Sequence, residues 1–281
     1  MFLTPQEYFR LHGSRPRKRF GQHFLVQSAV ARRIVASADL QPSDVVVEVG
    51  PGLGALTQFI AEQVNVLHLV ELDRDLAAYL SNAIPSGGCQ IQIHPQDILT
   101  FDFAGLAQQT GNRLVLLGNL PYNISSPLLF RLLEAGRAVQ RAVFMLQREV
   151  GERITASPGS KSYGVLSVLI GVYARVIGLF PVGSKQFYPP PQVDSLVVRL
   201  DFRDRPLLDE AAFQFLRHLV NTAFQHRRKT LQNSLRNLTA PTAMPVPEAL
   251  AAAAINPQRR PETLHLEEFM QLAGVLQGHD G

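Results

Sequence analysis

The segment that most constrains this chain is Val45-Val46-Val47-Glu48-Val49, followed at once by Gly50-Pro51-Gly52-Leu53-Gly54. A continuous β-branched run is what a strand buried on both faces requires, and such strands belong to parallel sheets covered by helices. The glycine turn leads into a helix expected near 54–64, and the same alternation then recurs. Strands are predicted at 66–72, 91–93, 113–119, 141–147 and 196–202, and helices at 27–38, 74–84 and 127–136. The apolar stretch 163–173 is ambiguous by period and reads best as a helix running into a strand near 174–180. This βαβα order predicts a doubly wound, mostly parallel α/β sheet with helices on both faces.

After Arg205-Pro206 the strand signals stop. Amphipathic spacing predicts helices at 210–224, 227–238, 247–254 and 262–276. The chain therefore divides into an aperiodic basic arm (1–25), an α/β domain (26–206) and a small all-helical domain (207–281). With 281 residues, 46% hydrophobic and 18% charged, a sizeable core is available. No apolar run approaches the roughly 20 residues of a membrane helix, and Glu7 and Arg10 make the opening segment unlike a secretory signal. The single cysteine, Cys89, suits a reducing, cytoplasmic setting, and no two His or Cys residues have zinc-ligand spacing.

The net charge is +4 but unevenly placed. Arg10, Arg15, Arg17, Lys18 and Arg19 crowd the arm, and Arg227, Arg228 and Lys229 cluster in the helical domain. Such clusters on a mild chain suggest a polyanionic partner.

Four motifs carry the chemistry. The glycines at 50, 52 and 54 let backbone approach a ligand at the carboxyl end of the first strand. The string is not a P-loop, since no Gly-Lys-Ser/Thr follows, but it satisfies a loose dinucleotide fingerprint. Glu71, about 20 residues on, can accept the ribose hydroxyls of an adenosine cofactor. Asp97, just past the third strand, can accept from an adenine amino group, although Asp is also a favoured helix cap. The decisive motif is Gly118-Asn119-Leu120-Pro121-Tyr122-Asn123 at the end of the fourth strand. The lone pair of adenine N6 is delocalised into the ring and is a poor nucleophile. The Asn119 side-chain oxygen and a backbone carbonyl next to Pro121 would hold both amino hydrogens and localise that lone pair. Tyr122 would stack on the base. A nicotinamide reading has no use for this motif and finds no hydride-handling His or Lys at a matching place.

In this order the motifs resemble the class I S-adenosylmethionine (SAM)-dependent methyltransferases, and Asn-Leu-Pro-Tyr resembles their N6-adenine branch. The resemblance implies a Rossmann-like, mostly parallel seven-stranded sheet with SAM bound at its carboxyl edge. Two further segments, Arg17-Lys18-Arg19-Phe20-Gly21-Gln22-His23-Phe24-Leu25 and Phe187-Tyr188-Pro189-Pro190-Pro191-Gln192-Val193-Asp194-Ser195, resemble the KsgA-type ribosomal RNA dimethyladenosine transferases. By that resemblance the arm covers the cofactor, which would be held by His23, Leu25, Gly50, Gly52, Glu71, Asp97 and Asn119. Asn119, Leu120, Pro121 and Tyr122 would be catalytic, and Phe187 would clamp the target adenine opposite Tyr122. The implied reaction is dimethylation of N6 on two adjacent adenosines in the 3′-terminal hairpin loop of small-subunit ribosomal RNA. The implied partner is that RNA or the immature small subunit, met through Arg17, Lys18, Arg19, Arg227, Arg228 and Lys229. A monomer is the default expectation. Two rivals share the surface features: the Erm-type enzymes of large-subunit RNA, which usually carry Ile at the Leu120 position, and a non-catalytic assembly factor.

Overall fold

The computed structural model describes residues 2–84, 87–239 and 242–278, apart from the Lys18 side chain. It divides into two compact units, one of Met1–Gly151 with Arg175–Asp204 and one of Glu152–Ala174 with Arg205–Gly281. The segment Glu152–Ala174 thus groups with the C-terminal helices, an insertion that a single boundary near 207 does not foresee.

The first unit is built on a seven-stranded sheet. Its strands are β1 (Val45–Val49), β2 (Val66–Val70), β3 (Gln90–His94), β4 (Leu114–Asn119), β5 (Val139–Gln147), β6 (Ala174–Val182) and β7 (Ser195–Phe202), in the order β3-β2-β1-β4-β5-β7-β6. The ladders from β3 through β5 are parallel, and β5 pairs with β7 antiparallel. All five residues of β1 are buried, as its valine run demands. β3, at the sheet edge, reads Gln-Ile-Gln-Ile-His and keeps its glutamines more exposed than its isoleucines. In register, Val49 lies beside Val70 on one side and Gly118 on the other, and Val70 lies beside His94. The carboxyl ends of β1 to β4 therefore form one edge. The strand order reverses between β1 and β4, which makes this the topological switch point where ligands of open α/β sheets bind.

The helix expected at 54–64 is regular only over Thr57–Ile60. Around it the hydrogen bonds mix i−4 closures such as Ala61 to Thr57 (2.9 Å) with i−3 closures such as Gln63 to Ile60 (2.9 Å). The arm is not aperiodic. Thr4 caps a helix over Pro5–Leu11 that buries Tyr8 and Phe9. Two-residue strands Phe24–Leu25 and Phe187–Tyr188 then pair antiparallel and fasten the end of the arm.

The second unit is helical. Val165–Tyr173 is a helix that ends where β6 begins. The 16-residue helix Glu210–Gln225, capped by Asp209, buries Phe213, Leu216, Leu219 and Val220 along one face. Leu266–Gln277 contributes Phe269, Leu272 and Leu276, and the buried Tyr163 hydroxyl donates to the Leu264 carbonyl at 2.9 Å. The helix expected at 227–238 is helical only from Leu231, because Thr230 takes an extended cap conformation (φ −64°, ψ 158°). Among the described residues no helix is long and apolar enough to cross a membrane.

Candidate active site

The loop after β1 turns through three glycines in the left-handed region, at φ +61° (Gly50), +58° (Gly52) and +84° (Gly54). At Gly52 a Cβ would also come within 3.2 Å of the Phe24 ring, so both backbone and packing demand glycine there. The result is bare backbone facing a cavity of about 670 Å³, within the roughly 300–1,000 Å³ typical of small-molecule sites.

Two carboxyls are buried at this edge. Glu48, in β1, accepts the Thr57 hydroxyl at 2.7 Å. Burial pushes it up to about 8, against the hydrogen bond from Thr57 and with help from the nearby Glu71 charge. Glu71, just past β2, accepts the Gly52 N–H at 3.0 Å and the Asp73 N–H at 2.9 Å. Burial pushes it up to about 7 despite those amide donors. It is 7% exposed, not a solvated strand end. Its carboxylate is locked to the glycine loop on one side and to the start of helix Arg74–Ala83 on the other.

Asp73 caps that helix and gathers the arm. Its carboxylate accepts Arg17 Nη1 at 2.7 Å and Gln22 Nε2 at 2.8 Å, and Arg17 also pairs with Asp75. Arg17 is therefore engaged in holding the arm, not free for phosphate as its place in a basic cluster suggests. Arg19 is exposed, with its guanidinium 4.6 Å from the Phe20 ring centroid.

At the end of β4 the Asn119 amide donates to the His23 carbonyl at 2.8 Å. That bond commits the amide nitrogen and leaves Oδ1 as the group available to a ligand. His23 Nδ1 in turn bonds the Pro189 carbonyl at 2.7 Å, and its ring lies 5.6 Å from that of Tyr122. The Pro121 carbonyl closes the following turn, accepting Ile124 N at 3.1 Å and Ser125 Oγ at 3.2 Å. Tyr122 is half-buried, its hydroxyl 3.4 Å from Ser195 Oγ and its pKa raised by burial.

The cavity brings together nearly every residue singled out in the sequence. His23, Leu25, Gly50, Gly52, Glu71 and Asp97 line it, as do Asn119, Leu120, Pro121 and Tyr122. Asp97 also serves as the cap anticipated for it, accepting Leu99 N–H at 2.9 Å. Phe187 is the exception. It is 4% exposed, packed in the core with Leu25, Met145 and Val197 and absent from the cavity wall. The short ladder sets Phe187 beside Leu25. Sequence reasoning missed Glu48, Thr57, Gln22 and Asp73 as parts of the site. A carboxylate inside an all-valine strand was the available signal for Glu48. The other three depend on long-range contacts.

In the second unit, Arg227, Arg228 and Lys229 occupy the turn after helix Glu210–Gln225, closed by Lys229 N to His226 O at 2.8 Å. Arg228 and Lys229 are exposed, while Arg227 is half-buried and bonds the Ser160 carbonyl at 3.1 Å.

Comparison with known proteins gives consistent matches. A family model described as ribosomal RNA adenine dimethylase matches residues 13–277. A ribosomal RNA small subunit methyltransferase A from Nitrosococcus oceani is 46% identical over 260 residues, covering 92% of this chain and 96% of the relative. One of the same name from Acinetobacter baylyi is 46% identical over 277 residues, covering 98% and 96%. Among solved structures, a dimethyladenosine transferase from Plasmodium falciparum shares the fold with a TM-score of 0.77 at 24% identity, over 89% of this chain and 96% of that one. The 23S rRNA methyltransferase ErmE superposes with a TM-score of 0.70 at 27% identity, over 90% and 99%.

Proposed function

This chain belongs to the ribosomal RNA adenine dimethylase family, and from that premise we propose how its residues dimethylate adenine N6 in small-subunit ribosomal RNA. The targets in this reading are two adjacent adenosines in the loop of the 3′-terminal hairpin. The small-subunit assignment rests on the 46% identity to small-subunit enzymes, against 27% to the large-subunit enzyme ErmE.

The cavity fits an adenosyl cofactor. Glu71 accepts the ribose hydroxyls, Asp97 accepts the adenine amino group, and the glycine loop lets the remainder lie against backbone. His23 and Leu25 close the side formed by the arm. Bound SAM supplies an electrophilic methyl group on a sulfonium sulfur. The protein's own work is to present N6 to it. A base in a loop is accessible where one in a stacked helix is not.

Asn119 carries the mechanism. Its amide nitrogen is spent on the His23 carbonyl at 2.8 Å, so Oδ1 accepts one N6 hydrogen. The Pro121 carbonyl is spent on the next turn, so the second acceptor is the Leu120 carbonyl. Holding both hydrogens out of the ring plane localises the lone pair on nitrogen. Tyr122 stacks on the base, an interaction of about 1–3 kcal/mol. The methylated amine is acidic enough to lose its proton to water, so no side-chain base is needed. Positioning, with an upper scale of about 7–11 kcal/mol, then supplies most of the catalysis.

Arg228 and Lys229, with Arg227 behind them, and Arg19 on the arm supply phosphate contacts whose strength falls with salt. The enzyme acts as a monomer in the cytoplasm, where its RNA is assembled. Asn119→Ala tests the mechanism. Methyl transfer should fall at least about 100-fold, the scale for losing one positioned polar group in a transition state. RNA binding should stay within about twofold of wild type. Normal methylation by this variant would overturn the role given to Asn119.

A further inference from the structure

The family match begins at residue 13, yet the segment before it is folded into the wall of the cavity. Thr4 and Glu7 form a reciprocal cap: Glu7 N donates to Thr4 Oγ1 at 3.3 Å, and the Glu7 carboxylate accepts Thr4 N at 2.9 Å. The helix so started, Pro5–Leu11, sets Tyr8 and Phe9 into a small apolar cluster with Phe24, Leu53 and Leu76. Tyr8 packs edge-on against Tyr79 at 5.0 Å, and the Tyr79 hydroxyl accepts the Leu3 N–H at 2.7 Å. Phe2, Leu3, Thr4, Pro5 and Gln6 all line the cavity. The Phe2 ring lies directly on Gly54, where a Cβ would sit 2.4 Å from its Cε1.

The arm is tied twice to one helix. Leu3 is held by Tyr79, and Arg17 and Gln22 are held by Asp73, all on or capping Arg74–Ala83. The cap of that helix, Asp73, lies two residues after Glu71, whose carboxylate accepts the Asp73 N–H. Residues 2–6 and the glycine loop thus line the same space, in contact with each other where Phe2 meets Gly54. With the segment in place the cavity still measures about 670 Å³, so the segment walls the space without filling it.

We propose that residues 2–11 are part of the cofactor site, an apolar wall that lies over the glycine loop and retains the bound adenosyl cofactor. The proposal rests on reading the cavity as the cofactor site. Phe2 is its contact residue. Tyr79 is a positioning residue that acts through Leu3. Pockets of this class bury 70–90% or more of a ligand's surface, and removing one wall speeds escape more than it slows entry.

The test is titration calorimetry and stopped-flow dissociation with S-adenosylhomocysteine, using the full chain and five variants: Phe2→Ala, Phe2→Leu, Tyr79→Phe, deletion of residues 2–11, and Glu71→Ala. Phe2→Ala and the deletion should raise Kd about tenfold, mostly through the dissociation rate, as the loss of a partly buried aromatic contact implies. Phe2→Leu should recover most of this, and Tyr79→Phe should cost about threefold. For SAM, KM should rise more than kcat falls. Unchanged binding by both Phe2→Ala and the deletion, with Glu71→Ala impaired, would overturn the wall and leave the cavity reading intact. Tighter binding by Phe2→Ala would also overturn it, since the ring would then occupy cofactor space. Normal binding by Glu71→Ala, or none by the wild type, would instead remove the cavity reading on which the proposal stands.

Discussion

Lowering the pH and replacing Glu71 by Gln remove the same negative charge, and the structure sets the size of the effect. Burial, aided by the Asp73 charge and opposed by the Asp73 and Gly52 amides, pushes Glu71 up to about 7. A carboxyl with that value is about nine-tenths ionised at pH 8 and about one-tenth at pH 6. Hydrogen bonds to a charged group contribute about 1.5–3 kcal/mol against about 0.5–1.5 for neutral pairs. Ribose hydroxyls therefore prefer the ionised form by on the order of 1 kcal/mol or more, close to a factor of ten. The neutral form is further disfavoured as a partner because its proton competes with N–H groups already aimed at both oxygens. The Kd for S-adenosylhomocysteine should rise about fivefold from pH 8 to pH 6, with proton release on binding near pH 7. Calorimetry in buffers of different ionisation enthalpy measures both. Glu71→Gln should bind more weakly throughout and lose this part of the slope. The free protein should trend the opposite way. A carboxyl whose folded pKa lies above its unfolded value contributes stability that is present at low pH and is lost as pH rises through the folded value. For Glu71 and Glu48 that window runs from about 4.5 to about 7 and about 8 respectively. A Kd flat between pH 6 and 8, or an unchanged slope in Glu71→Gln, would refute this account of Glu71.

Three further expectations follow from geometry. In Gly118→Ala the new Cβ would sit 2.7 Å from the Val49 carbonyl on the paired strand; neither backbone can retreat without opening the ladder, so urea unfolding should show a loss of about 1–3 kcal/mol, and an unaffected midpoint would contradict the packing. Phe187→Leu should retain stability within about 1.5 kcal/mol and near-normal kcat, because the ring fills core; a large fall in kcat with stability intact would put the ring on the substrate base instead. Arg227→Glu with Arg228→Glu should weaken RNA binding and flatten its salt dependence while leaving cofactor Kd unchanged, as filter binding across a salt series would reveal; unchanged RNA affinity would remove this turn from the interface.

Much of this architecture was legible in the sequence because local pattern and final environment agree. The valine run of β1 is buried along its whole length, and the ambiguous stretch 163–173 resolves as a helix that runs into β6. The cavity motifs were legible for a related reason. Gly50, Glu71, Asp97 and Asn119 all lie at or just past strand ends, and parallel strands carry their ends to one edge. What failed to show in sequence depends on distant partners. Arg17 reads as a phosphate ligand until Asp73 and Asp75 are brought beside it. The arm reads as irregular because its helix is only 7 residues long and is stabilised by packing on Phe24, Leu53 and Leu76. Phe187 reads as a loop aromatic in its motif, whereas it is buried in the core cluster beside Leu25. The insertion of Glu152–Ala174 among the C-terminal helices has no local signal, since it is decided by tertiary contact alone.

The central claim is most directly tested by supplying methyl-labelled SAM to small ribosomal subunits lacking the modification and, separately, to large-subunit RNA, then mapping the labelled base. The account predicts N6,N6-dimethyladenosine at two adjacent positions in the 3′-terminal loop of the small-subunit RNA, with none in the large-subunit RNA. Label confined to large-subunit RNA, or absent from both while the cofactor still binds, would contradict it.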